Sequence, residues 1–190
     1  MQNKFSDKQI TIFELMLVAV LAVGLGVAFW GWTFVYEFTK PFLKAFGLKY
    51  ITSGFWVLSA ILPAMIVRKP GVALFSSVVA SLVEGMITNW GFMAGLWGLV
   101  QGMGAELIFA IFLYSRWQWP IILLASAMGA LCSYTLDYFY YGYSSLSMEI
   151  NLLQVSSFVF SSMVFAGILS IIIARKLLKT GLLSGFKIAR

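Results

Sequence analysis

Six apolar stretches, each about as long as a helix needs to cross the hydrocarbon core of a bilayer, follow one another along this 190-residue chain with only short polar breaks. No other feature constrains the fold as strongly. In lipid every backbone polar group must find its partner within the chain, so apolar runs of this length become helices. Spans are expected over about 10–36, 50–67, 72–88, 94–114, 120–141 and 152–174. The expected fold is an all-α, six-transmembrane-helix bundle forming a single integral membrane domain over 1–190. Composition argues against a water-soluble alternative. The chain is 61% hydrophobic and 11% charged, against roughly half and about a quarter in soluble domains. The first run is longer than the apolar region of a signal peptide, and no small-residue cleavage site follows it, so it reads as a span.

The breaks carry the topology. A net charge of +6 on a soluble protein would suggest nucleic acid. Here the basic residues sit between spans, so the bilayer is the expected partner and nucleic acid is not. Lys4, Lys8, Arg68, Lys69, Arg116, Arg175, Lys176, Lys179, Lys187 and Arg190 fall on one side, and Lys40, Lys44 and Lys49 on the other. Ten against three predicts both termini in the cytoplasm of a multi-pass cell-membrane protein. The first outer segment, 37–49, mixes Lys with Phe38, Phe42 and Phe46. It fits an interfacial anchor or a cover over a site, and the two readings stay open.

Ionisable groups inside a span are costly and usually face the bundle interior. Glu84, Glu106 and Asp137 qualify. Counting residues from the span ends at 1.5 Å each puts Glu84, Asp137 and the amide Gln101 roughly 5–10 Å below the outer surface, on three different helices. Polar groups converging at one level form a site in a helix bundle. Asp137 shares a helical face with Tyr134 and Tyr141, while Asn89 and Trp90 follow directly after the span of Glu84. Trp30 and Phe34 of the first span reach the same level. These nine positions, Trp30, Glu84, Asn89, Trp90, Gln101, Glu106, Tyr134, Asp137 and Tyr141, are the candidate substrate-binding residues. Paired carboxylates with aromatic walls suit an aromatic or cationic ligand. No Lys or Arg is expected in the outer half of any span to receive an anion. Packing between helices is the competing reading for Glu84, Asp137 and Gln101. For Glu106, near the midplane, a ligand contact, a buried acid bonding a neighbouring helix and a proton relay all remain open.

Absences narrow the chemistry. With no histidine and one cysteine, Cys132, the chain can form no internal disulfide and no Cys/His metal site. No Gly-x-x-x-x-Gly-Lys-Ser/Thr loop is present, so it does not hydrolyse ATP by that route. Neither an enzyme nor a resident cofactor is expected. Ala22 and Gly26, like Gly98 and Gly102, are four apart and allow close helix contact; in the first span a partner helix is one candidate for that contact.

Three stretches carry a family resemblance: Gly26-Val27-Ala28-Phe29-Trp30-Gly31-Trp32, Arg68-Lys69-Pro70-Gly71-Val72-Ala73-Leu74, and Gln101-Gly102-Met103-Gly104-Ala105-Glu106-Leu107-Ile108-Phe109. Together with six short spans they resemble the substrate-binding S components of energy-coupling factor (ECF) vitamin transporters, and among those the YkoE type, linked to thiamine or its hydroxymethylpyrimidine precursor. The resemblance implies a vitamin pocket at the outer face, a transmembrane coupling (T) protein and ATPase subunits as partners, and thiamine as the ligand. It also implies an Ala-x-x-x-Ala surface on the first span for the coupling protein, which is Ala22-x-x-x-Gly26 here. A hydroxymethylpyrimidine-specific S component and a stand-alone proton-coupled transporter are the alternatives.

Overall fold

A capping box starts the first helix: Thr11 Oγ1 accepts from the Glu14 backbone N–H, and the Glu14 carboxylate accepts from Thr11. The computed structural model describes residues 9–181, 183 and 185–189. Helix α1 (Ile12–Ala45) has 34 residues, which at 1.5 Å each is about 50 Å, well beyond the hydrocarbon thickness. The segment read as a loop from residue 37 is therefore helical as far as Ala45. Pro41 removes only one helical donor, and no true breaker comes before Gly47, whose φ is +70°.

The second span opens as a 3₁₀ helix (Lys49–Val57) and continues as α2 (Leu58–Val67), in which all ten residues are buried. This all-round apolar segment is the hub of the bundle. It touches α1, α3 (Val72–Ile87), α4 (Ala94–Ile111), α5 (Trp119–Tyr140) and α7 (Leu169–Lys179), while α6 (Met148–Ser162) packs on the 3₁₀ segment that precedes α2. Around it α3 packs between α1 and α4, and α5 between α4 and α6. A π-helical turn, Met163–Ile168, joins α6 to α7 so that the two form one continuous span. Five of the helical segments are long and apolar enough to cross a membrane, and α3 is a shorter apolar one of 16 residues.

Glycines set the closest approaches. A side chain at Gly54 would collide with the backbone between Ser161 and Ser162, and the Gly54 N–H donates to Ser161 Oγ at 2.9 Å. Gly98 and Gly102 let α4 sit against Ser77 and Ser81 of α3. Ala22 and Gly26 are likewise used inside the protein: a Cβ on Gly26 would lie 2.6 Å from the Ala80 carbonyl oxygen. This corrects the reading of that pair as a partner surface, because α3 already occupies it. The small residues that α1 turns outward are Gly24, Ala28, Gly31 and, at its very end, Ala45.

At the end bearing the α2–α3 turn, Lys69 Nζ pairs with Glu14 Oε2 at 2.6 Å and also donates to the Gln9 carbonyl. The turn itself places Arg68 (φ +57°) and Gly71 (φ +82°) in the left-handed region. Lys4, Lys8 and Arg190, which entered the charge argument, lie outside the described residues.

Candidate binding site

The opposite end of the bundle holds a cavity of about 370 Å³, within the size range of small-molecule sites. Its walls come from α1 (Tyr36, Glu37, Lys40), the 3₁₀ segment (Lys49, Tyr50, Ser53, Trp56), α3 (Ser81, Glu84), the α3–α4 link (Trp90, Met93), α4 (Ala94, Trp97, Gln101), the end of α5 (Ser133, Asp137, Tyr140, Tyr141) and Phe158 of α6. The helical extension of α1 thus forms one wall, so part of 37–49 covers the cavity, while Phe38, Phe42 and Phe46 stay exposed, as an interfacial anchor would have them.

Glu84 is 1% exposed. Its Oε1 accepts from Trp56 Nε1 at 2.7 Å and lies 3.0 Å from the Thr33 hydroxyl, which the Phe29 carbonyl shares. No hydrogen bond from the described residues reaches its Oε2. Asp137 is satisfied differently. Its Oδ1 accepts from Trp97 Nε1 at 2.6 Å and its Oδ2 from the Tyr50 hydroxyl at 2.7 Å. Gln101 donates through Nε2 to Ser77 Oγ at 3.0 Å and to the Trp56 carbonyl at 3.3 Å, which leaves its amide oxygen as an acceptor. Ser133 Oγ, on the cavity wall, is buried with no partner among the described residues. A buried hydroxyl of this kind is costly unless a ligand or water satisfies it.

Aromatic rings complete the walls. On the Glu84 side Trp56 lies 5.5 Å from Trp90 and 5.3 Å from Tyr36, the latter edge-on. On the Asp137 side Trp97 lies 5.0 Å from Tyr140 and 6.2 Å from Tyr141.

Of the nine candidate residues, Glu84, Trp90, Gln101, Asp137 and Tyr141 line this cavity. The other four point elsewhere. Tyr134 donates to Asn151 Oδ1 at 2.7 Å and fastens α5 to α6. Trp30 is 41% exposed on the outer face of α1 against Phe34, because its neighbour Phe29 takes the inward position. Asn89 is exposed in the α3–α4 link. Glu106 sits at the far end, where its oxygens accept from the backbone N–H groups of Gly71 (2.6 Å), Ala73 (3.0 Å) and Leu74 (3.2 Å) and from the Tyr114 hydroxyl (2.6 Å). It caps the N-terminus of α3, where a carboxylate meets both free donors and the positive end of the helix dipole.

Trp56, Tyr50, Trp97, Tyr36 and Lys49 are among the lining groups that the sequence reading missed. Trp97 had a signal, one helical turn before Gln101. Trp56 and Tyr50 had none, since an aromatic residue in a buried span reads as packing. The expected absence of cations is also corrected: Lys40 and Lys49 both line the cavity. Lys40 pairs with Glu37 at 3.1 Å, and Lys49 donates to the Tyr143 hydroxyl at 2.6 Å.

An apolar helix bundle with a carboxylate-bearing, aromatic-walled cavity at one end is the anatomy of a membrane-embedded solute-binding subunit. The family described as "ABC-type cobalt transport system, permease component" matches residues 13–132. A curated protein of Bacillus subtilis (strain 168), "Putative HMP/thiamine permease protein YkoE", is 34% identical over 141 residues, covering 72% of this chain and 69% of that protein. A solved structure titled "Crystal structure of an S-component of ECF transporter" superposes with a TM-score of 0.88 at 27% identity, covering 95% of this chain and 92% of that one. The chain belongs to this permease family, as a YkoE-type S component of the ECF transporters. It is a multi-pass, vitamin-specific transport component and not an enzyme.

Proposed function

We infer that this chain binds thiamine as the specificity subunit of an ATP-driven ECF importer. One observation carries the choice of ligand. The cavity wall holds three carboxylates and two ammonium groups, a formal net charge of −1. Lys40 pairs with Glu37, and Lys49 reaches Asp137 through tyrosine hydroxyls. Among the described residues Glu84 alone of the three has no cation, and one of its oxygens accepts no hydrogen bond. Thiamine carries one positive charge in its thiazolium ring and hydrogen-bonding edges on its aminopyrimidine, so it complements this arrangement in charge and in polarity. Neutral hydroxymethylpyrimidine would leave the Glu84 charge unmatched. The name of the Bacillus subtilis relative, which mentions both HMP and thiamine, agrees with this ligand class.

Two other readings fare worse. A proton-coupled transporter would need a titrating acid in the pathway, whereas Glu106 is held by four donors away from the cavity. A cobalt cargo, suggested by the family description, would want imidazole or thiolate ligands, and the chain has no histidine and one cysteine. Ligand retained by the purified chain and identified by mass spectrometry, followed by calorimetric titration, tests the proposal. Thiamine should be found and should bind more tightly than hydroxymethylpyrimidine. A preference for the neutral pyrimidine would overturn it.

Transport needs partners in this reading, because the chain has no Gly-x-x-x-x-Gly-Lys-Ser/Thr loop to hydrolyse ATP. A coupling (T) protein and ATPase subunits supply the energy. With Ala22 and Gly26 occupied by α3, the surface proposed to meet the coupling protein is the outward stripe Gly24–Ala28–Gly31. The ten-to-three distribution of basic residues supports cytoplasmic termini and a cavity facing outside. A reporter that functions only in the cytoplasm should be active when fused after Arg190, and activity solely of an exported reporter would reverse the orientation.

A further inference from the structure

We propose that Lys49 is a built-in counter-cation that sets the charge selectivity of the cavity, holding it to singly charged cations and directing their charge to Glu84. The inference rests on the reading of the chain as a thiamine binder and adds to it the residue that governs selection.

Lys49 is the first residue of the 3₁₀ segment. Its ammonium lies 4.8 Å from the ring centre of Tyr50, 5.3 Å from that of Tyr141 and 5.3 Å from that of Tyr143. Three aromatic rings around an ammonium make the type of cage that captures cationic ligands. Here the protein's own side chain fills it. The same ammonium donates to the Tyr143 hydroxyl at 2.6 Å; the Tyr143 and Tyr50 hydroxyls are 3.2 Å apart, and Tyr50 is 2.7 Å from Asp137 Oδ2. Each hydroxyl has one proton. The row is satisfied when Lys49 donates to Tyr143, Tyr143 to Tyr50, and Tyr50 to Asp137. Lys49 therefore offsets Asp137 through two polarised hydroxyls, without touching it.

Two consequences follow for a ligand. Its positive charge cannot settle in the tyrosine cage, which is taken, and it finds no uncompensated anion at Asp137. Only Glu84, with its open oxygen, remains. Without Lys49 the cavity wall would carry a charge of −2 and an unfilled cage, and both changes favour added positive charge.

The test compares thiamine with deazathiamine, a neutral isostere in which carbon replaces the thiazolium nitrogen, by calorimetric titration of the full-length chain. In Lys49→Met the ratio of the two dissociation constants should move toward thiamine by roughly tenfold, the effect of one unit charge about 10 Å away at an effective dielectric near 20. Lys49→Gln should shift the ratio in the same direction, and Lys49→Arg should restore the parent ratio. If Lys49 merely latched Tyr143 in place, both constants would change together and the ratio would stay put, which overturns the inference while leaving the thiamine reading standing. A parent chain that binds neither compound overturns both.

Discussion

Replacing Glu84 by glutamine should weaken thiamine binding tenfold to a hundredfold while leaving the chain folded. Glutamine has nearly the same shape, and its amide oxygen can still accept from Trp56 Nε1, which lies 2.7 Å from Glu84 Oε1. What it lacks is the one carboxylate charge on the cavity wall that no cation offsets. Losing a hydrogen bond to a charged group typically costs about 1.5–3 kcal/mol, which corresponds to that range of affinity. Burial strengthens the argument, since Glu84 is 1% exposed and little solvent screens it from a ligand. Hydroxymethylpyrimidine should lose less, because a neutral ring needs an acceptor but not a charge. Titration of both compounds against the variant distinguishes the cases. Equal losses for both would make Glu84 a general hydrogen-bond acceptor. No loss for either would make it a packing residue that ties α3 to α1 and the 3₁₀ segment.

Replacing Glu106 by alanine should do the opposite, lowering stability by about 2–4 kcal/mol without altering the preference for thiamine over hydroxymethylpyrimidine. Its carboxylate accepts from three backbone N–H groups in the first turn of α3 and from Tyr114. Helix caps are worth about 0.5–2 kcal/mol, and hydrogen bonds to charged groups about 1.5–3 kcal/mol. Among the described residues no other side chain caps α3, since its N-cap residue is Gly71. Glutamine at this position should fall between alanine and the parent, because it keeps one acceptor oxygen but turns an amide N–H₂ toward backbone donors. Thermal unfolding in detergent reads the loss, and titration reads the preference. An alanine variant as stable as the parent that no longer binds thiamine would return Glu106 to the ligand site.

The contrast between these two glutamates shows how far a sequence reaches in a membrane protein. Both are acidic residues inside apolar runs, and the cost of burying a charge marks both as purposeful. Depth along the chain separated them, because rise per residue is nearly constant in a helix. Depth also brought Glu84, Gln101 and Asp137 to one level, and they line one cavity. What each one does there depends on which residues meet it from other helices. Trp56 and Thr33 hold Glu84, and Trp97 and Tyr50 hold Asp137. None of these pairings has a local signature.

The sequence by itself determined the solvent, the class of fold and the level of the site. Those follow from apolar length, from the placement of basic residues and from the rarity of buried carboxylates, all of which are properties of the linear chain. Tertiary structure alone decided which way each helix is turned and how far it runs. A rotation of 100° per residue separates inward Phe29 from outward Trp30. The run of α1 past the membrane to Ala45 brought Lys40 to the cavity wall. Packing against α3 consumed the Ala22–Gly26 face. In a soluble helix the polar stripe would have announced these orientations, but in lipid both faces are apolar, so only the contacts between helices distinguish inside from outside.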